Sequence, residues 1–332
     1  MRPGRYQRDG TVVAFIGLSA LLIGCAAPPA AAPARASVPR AEIAAERATA
    51  ADLDFCQGVT VAPPRRVVVM PESRQFAEEA VRDTWSALRD GDLERAARAA
   101  DAALDADPLS FRAHMAVGVV QSRRGEHGAA LLSFCQARRL DESNTAALFW
   151  IGHVRLALGS YVEAARVMRA VVAREPDRAE AHYELGVALT RAGEEEEALE
   201  ALERAAELAP DNARVHHERG YLLAGARRAT EAAQAYREAI RLRPGHAASH
   251  RELSAVLIEL GEHRAAFEAA REAVRAGPAD LANHLALARA ALAADRCRPA
   301  RRALGEARGV RIGEREREEL RELERAIDST CR

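Results

Sequence analysis

A chain of 332 residues is long enough for one elongated domain or two compact ones. Apolar residues make up 48% but aromatic ones only 4%, so a core must be built from Ala and Leu, which favours closely packed helices over sheets. All 48 basic residues are Arg, none Lys, and they nearly cancel the 49 acidic ones to a net charge of -1; interleaved signs of this kind exclude an electrostatic footprint for nucleic acid.

At the amino terminus, Arg2, Arg5 and Arg8 precede an uncharged run from Thr11 to Gly24. A helix needs about 20 apolar residues to span a bilayer, so this run is short for a permanent anchor. A basic head, a short apolar run and small residues after it are the pattern of a secretory signal peptide. Its end, Leu22-Ile23-Gly24-Cys25, resembles the lipobox of bacterial lipoproteins. That resemblance implies that residues 1–24 are a lipoprotein signal peptide and that the Cys25 thiol takes a diacylglyceryl group. The alternative is an ordinary signal peptide with a chance cysteine, although small-residue cuts beyond Cys25 run into Pro28 and Pro29. Ala26, where Asp often retains such proteins in the inner membrane, implies a lipid-anchored protein of the outer membrane facing the periplasm.

Residues 25–51 are mostly Ala, Pro and Arg and cannot form a core; they read as a linker after the lipidated cysteine. Residues 52–76 hold two short β-branched runs around Pro63-Pro64 and read as an N-terminal arm, a small hairpin or an extended strand.

From Ala77 to Glu314 the sequence repeats every 34 residues. Pro108, Pro176, Pro210, Pro244 and Pro278 form one column, with Glu142 and Ile312 in its empty slots; Gly91, Gly125, Gly159, Gly193 and Gly261 form another. Seven copies fit 77–314 without insertion. Ala179–Asn212 is the clearest, carrying Leu185-Gly186, Leu189, Ala198, Leu202, Ala205 and Pro210. Leu185, Leu189 and Leu202 stand at helical spacing, Gly186 and Ala198 let two helices approach, and Pro210 cannot continue a helix. These offsets resemble the tetratricopeptide repeat (TPR) family. The resemblance implies an all-α, right-handed superhelical solenoid of about seven helix-turn-helix repeats, since one hairpin cannot bury its apolar face alone. Residues 315–332, with Leu320, Leu323 and Ile327 on one stripe and charge elsewhere, read as a C-terminal capping helix. Glu194–Glu197 opens the second helix of its hairpin, where acidic groups favour the positive end of the helix dipole.

Four further cysteines allow three pairings, and export would place them in an oxidising compartment. Cys297 lies in the last hairpin's turn, and a capping helix antiparallel to that hairpin's second helix returns Cys331 beside it. Cys56–Cys135 follows by elimination; free thiols are the alternative. His114, His182, His216, His250 and His284 share one column. Helices stacked roughly 8–10 Å apart cannot bring such residues around a zinc ion that holds its nitrogens at about 2 Å, so the column reads as packing rather than metal binding. No phosphate loop, HExxH or nucleophile motif is present; the expectation is a protein without catalytic residues, metal or cofactor.

TPR arrays work through a concave face lined by the first helix of each hairpin. The resemblance places Phe149, His153, Tyr183, Val187, His217 and Tyr221 there, as a groove for a peptide segment or helix, with packing between helices as the alternative. The Lys/Asn carboxylate clamp of chaperone-binding members is missing, and Arg251 and Arg289 are the candidates to hold a carboxylate instead. A lipobox with a TPR array resembles the pilotin lipoproteins of type IV pilus systems and the TPR lipoproteins of tight-adherence pilus assembly. The expected function is a membrane-anchored scaffold that binds another envelope protein in assembly of a pilus or secretion machine. An adaptor for a periplasmic cell-wall hydrolase or protease is a second reading, and a metal or small-ligand carrier using the His column a third.

Overall fold

The structure, a computed structural model, describes Cys56, residues 69–308 and residues 314–331, all within one unit spanning residues 54–332. Cys25, the apolar run before it, the linker and most of the expected arm lie outside the described residues.

Among the described residues every regular element is a helix, and fourteen of them pair into seven antiparallel hairpins. The first is α1 (Pro71–Asp90) with α2 (Leu93–Ala106), the second α3 (Phe111–Arg123) with α4 (His127–Leu140), and the third α5 (Thr145–Ala157) with α6 (Tyr161–Arg174). The fourth joins α7 (Ala179–Ala192) to α8 (Glu195–Leu208), and the fifth α9 (Ala213–Gly225) to α10 (Ala229–Leu242). The last two are α11 (Ala247–Glu259) with α12 (His263–Ala276) and α13 (Leu281–Ala293) with α14 (Cys297–Ala307); α15 (Glu314–Thr330) follows. This is a superhelical TPR array in the register of the 34-residue period. None of these helices is long and apolar enough to cross a membrane.

One boundary differs. α1 begins at Pro71, so residues 71–76 are helical and do not belong to an extended arm. Pro71 sits in the first turn, where its missing N–H costs nothing, and Glu72 beside it faces the positive helix end.

Each hairpin closes through a left-handed residue in the glycine column, with φ between 75° and 86° at Gly91, Gly125, Gly159, Gly193 and Gly261. The two repeats lacking that glycine adopt the same conformation, Arg227 at φ 57° and Asp295 at φ 56°. Within a hairpin the helices touch where side chains are small. A Cβ added to Gly186 would stand 2.6 Å from Leu202 Cγ, so only glycine fits this crossing without movement. Ser110, Asn144, Asn212 and Asp280 start their helices by accepting a backbone N–H, as at Asp280, which accepts from Ala282 at 2.9 Å.

Odd-numbered helices pack against the next odd-numbered helix at α1–α3, α5–α7, α7–α9, α9–α11 and α11–α13. No two successive even-numbered helices pack comparably. The array therefore curves with the odd-numbered helices on its inner face. At the C-terminal end α15 lays Leu320, Leu323 and Ile327 onto the core shared by α10 to α14. Disulfides join Cys297 to Cys331 and Cys56 to Cys135, the two pairs expected from the chain's order. The first ties the end of the cap to the start of α14, beside a hydrogen bond from Arg301 to the Cys331 carbonyl at 3.0 Å.

Candidate partner-binding face

The histidine column explains how one hairpin is set against the next. Each Nε2 donates to the carbonyl of the proline six residues earlier: His114 to Pro108 at 3.0 Å, His182 to Pro176 at 2.8 Å, His216 to Pro210 at 2.9 Å, and His250 to Pro244 and His284 to Pro278 at 2.8 Å. The turn between hairpins is thus tied to the inner helix that follows it. Where the turn holds Glu142 instead of Pro, the column holds Leu148, fully buried. Burial pushes His114 below the usual histidine range, opposed by the Pro108 carbonyl that accepts from it. No three potential metal ligands converge among the described residues.

The six groove candidates all fall on inner helices, but they are not a row of bare anchors. Phe149, His153, Val187, His217 and Tyr221 are half-buried and Tyr183 is 8% exposed. Three of their rings are covered by arginines: Arg178 at the start of α7 lies 4.0 Å over Phe149, and Arg214 and Arg191 each lie 4.9 Å over Tyr183 and Tyr221. A guanidinium over a ring keeps its charge near solvent while its plane shields the apolar face. Burial pushes the Tyr183 hydroxyl up to about 12, with Glu218 adding to it and Arg214 opposing.

Three of the six serve as rungs between repeats. The position held by Phe149, Tyr183 and His217 contacts the start of the next inner helix each time. His217 Nδ1 lies 3.0 Å from Ser249 Oγ, with the His246 ring 4.9 Å away, and His246 Nδ1 is 2.6 Å from the same hydroxyl. Burial first, then His246, Arg251 and Arg191, push His217 down to about 4. Arg251 occupies this position one repeat later and donates to Asp280 at 3.2 Å and Asn283 at 3.3 Å, besides its ion pair with Glu252. Arg289 is bonded to Glu319 of the cap. Both arginines are already paired within the protein, and each closes a junction with the next element.

The polar pairing between α7 and α9 is less complete. His153 meets Glu184 at 3.1 Å, and Arg191 approaches Glu218 at only 3.8 Å. Glu218 Oε2 and Arg191 Nη1 are left without a hydrogen-bond partner among the described residues, and burial raises Glu218 above the usual carboxylate range. A buried, incompletely hydrogen-bonded Arg191–Glu218 pair therefore stands beside Tyr221. The arginines and glutamates of this patch escaped the sequence reading, which looked for scarce aromatics. Their signal was the recurrence of Glu184, Glu218 and Glu252 at the repeat spacing.

The family model described as Cilia and flagella-associated protein 70 C-terminal domain matches residues 38–323. A search of curated proteins found no match. Among solved structures the chain is similar to pilF of Pseudomonas aeruginosa, at 21% identity over 64% of this chain and 96% of that one, with a TM-score of 0.56. A tetratricopeptide repeat protein from Parabacteroides merdae ATCC 43184 is 18% identical over 76% of this chain and 99% of its own, with a TM-score of 0.57. A chain of the APC/C hetero-tetramer Cut9-Hcn1 is 18% identical over 66% of this chain and 43% of its own, with a TM-score of 0.60. At these identities the likenesses are of fold.

Proposed function

We propose, from the premise that the chain belongs to the tetratricopeptide-repeat family described as the Cilia and flagella-associated protein 70 C-terminal domain, that it is a lipid-anchored scaffold of the bacterial outer membrane. Membership makes it a protein–protein interaction scaffold. Its periplasm-facing array holds a peptide segment or helix of another envelope protein, in assembly of a pilus or secretion machine.

The observation that carries the binding reading is the pair of half-exposed side chains, Val187 on α7 and Tyr221 on α9, on the inner face. Beside them Glu218 Oε2 and Arg191 Nη1 are buried without a hydrogen-bond partner among the described residues, an incomplete polar pair that a bound segment can complete once either side chain turns outward. Val187 and Tyr221 supply apolar surface on either side. Support for the anchor lies in the sequence, where a basic head, a short apolar run and Gly24-Cys25 succeed one another. Two disulfides suit an oxidising compartment.

Cys25→Ser is expected to release the protein from membranes on fractionation; continued membrane association would overturn the anchor. Tyr221→Ala with Val187→Arg is expected to abolish recovery of the bound envelope protein from detergent extracts while leaving the melting temperature near that of the parent. Undiminished recovery would overturn the inner-face assignment. Tyr183→Ala is unsuitable for this purpose, because it removes a buried ring and the rung it makes.

A further inference from the structure

The outer side of the array carries a second feature, at the last two repeats. Between α12 and α14 runs a groove of about 560 Å³, floored by Phe267, Val274 and Leu287. Its walls are two pairs of arginines, each pair one helical turn apart: Arg271 and Arg275 on α12, Arg298 and Arg302 on α14. Four arginines against the single Glu306 line it. All four are exposed.

Three of these arginines form ion pairs only with a glutamate of their own helix: Arg271 with Glu268 at 2.7 Å, Arg275 with Glu272 at 3.1 Å and Arg302 with Glu306 at 2.9 Å; Arg271 also lies 5.9 Å over the Phe267 ring. Exposed pairs of this kind contribute little and are readily exchanged for another carboxylate. Arg298 has no hydrogen-bond or ion-pair partner among the described residues. Phe267 is held in place from one side by Arg296, whose guanidinium lies 4.4 Å over the ring. The floor is thus apolar, and the walls carry exposed positive charge.

We propose that this groove is a second docking site, taking an acidic peptide segment of a partner protein. One apolar side chain of the segment sets into the floor, and flanking carboxylates bridge to the arginines of both walls. The planar guanidinium fork matches a carboxylate in two parallel hydrogen bonds. A bare anion would gain nothing from the apolar floor, and the volume suits one or two large side chains. The charged walls lie on even-numbered helices, with only Leu287 of the floor coming from α13, and the site does not depend on the reading given to the inner face.

The test is fluorescence anisotropy of the full chain with a labelled 12-residue peptide carrying one Trp flanked by Glu, beside a counterpart with Arg in place of each Glu. The acidic peptide is expected to bind and the basic one not. Arg298→Glu with Arg302→Glu, both exposed, is expected to weaken binding by about tenfold or more. Arg271→Glu with Arg275→Glu, on the opposite wall, gives the same result independently, while Tyr221→Ala leaves it unchanged. Equal binding of the two peptides, or charge-reversed variants that bind as well as the parent, would overturn the proposal. So would tighter, arginine-dependent binding to phosphatidylglycerol vesicles, which would make the groove a membrane contact. Self-association abolished by the same variants would make its occupant a second copy of the chain.

Discussion

Arg227 and Asp295 hold a backbone conformation that costs an ordinary L-residue about 1–2 kcal/mol. They hold it because the hairpins on either side require the same turn that glycine makes elsewhere. Arg227→Gly is expected to stabilise the protein by about 1 kcal/mol, and Asp295→Gly by less, since Asp tolerates the left-handed region better; calorimetry reads both. The glycine column was plain in the sequence, but its two gaps gave no sign that the turn persists there. His217 is a second residue whose energetics only the fold reveals. Its folded value near 4 lies below the ordinary 6.5, so the unfolded chain takes the proton first as pH falls. The stability contributed by the neutral ring is complete above about pH 6.5 and is lost progressively towards pH 4. Urea melts between pH 7.5 and 4.5 are expected to show a shallower loss for His217→Gln than for the parent.

At the scale of the element, the proline and histidine columns were each legible, yet their connection was not. A helix residue and a turn residue six positions apart have no fixed relation until the chain bends. The clue was their joint absence: Glu142 and Leu148 replace both at the same junction between repeats. His182→Ala is expected to cost about 1–2 kcal/mol, because the Pro176 carbonyl loses its donor. Hydrogen exchange reads the consequence locally, with faster exchange at the start of α7 and no change at the start of α11. The start of α1 failed for the opposite reason. The β-branched residues before it drew attention to an extended arm, while Pro71-Glu72, an ordinary helix start, stood in the sequence unread.

For the whole molecule, the period of 34 residues carried the architecture, since each repeat can bury its apolar face only against its neighbours. The inner face was harder to read. Composition singles out aromatic residues, but which of them stay open depends on what the next repeat lays over them. Phe149, Tyr183 and His217 hold repeats together, while Val187 and Tyr221 stay half-exposed beside the incompletely bonded Arg191–Glu218 pair. Site-specific photocrosslinking in intact cells tests this division most directly, with the crosslinker placed at Val187 on the inner face and at Glu200 on exposed α8. A single envelope protein captured from Val187, and absent from Glu200, is the expected result. Equal capture from both positions, or none from Val187, would contradict the inner face as the place where this scaffold holds its partner.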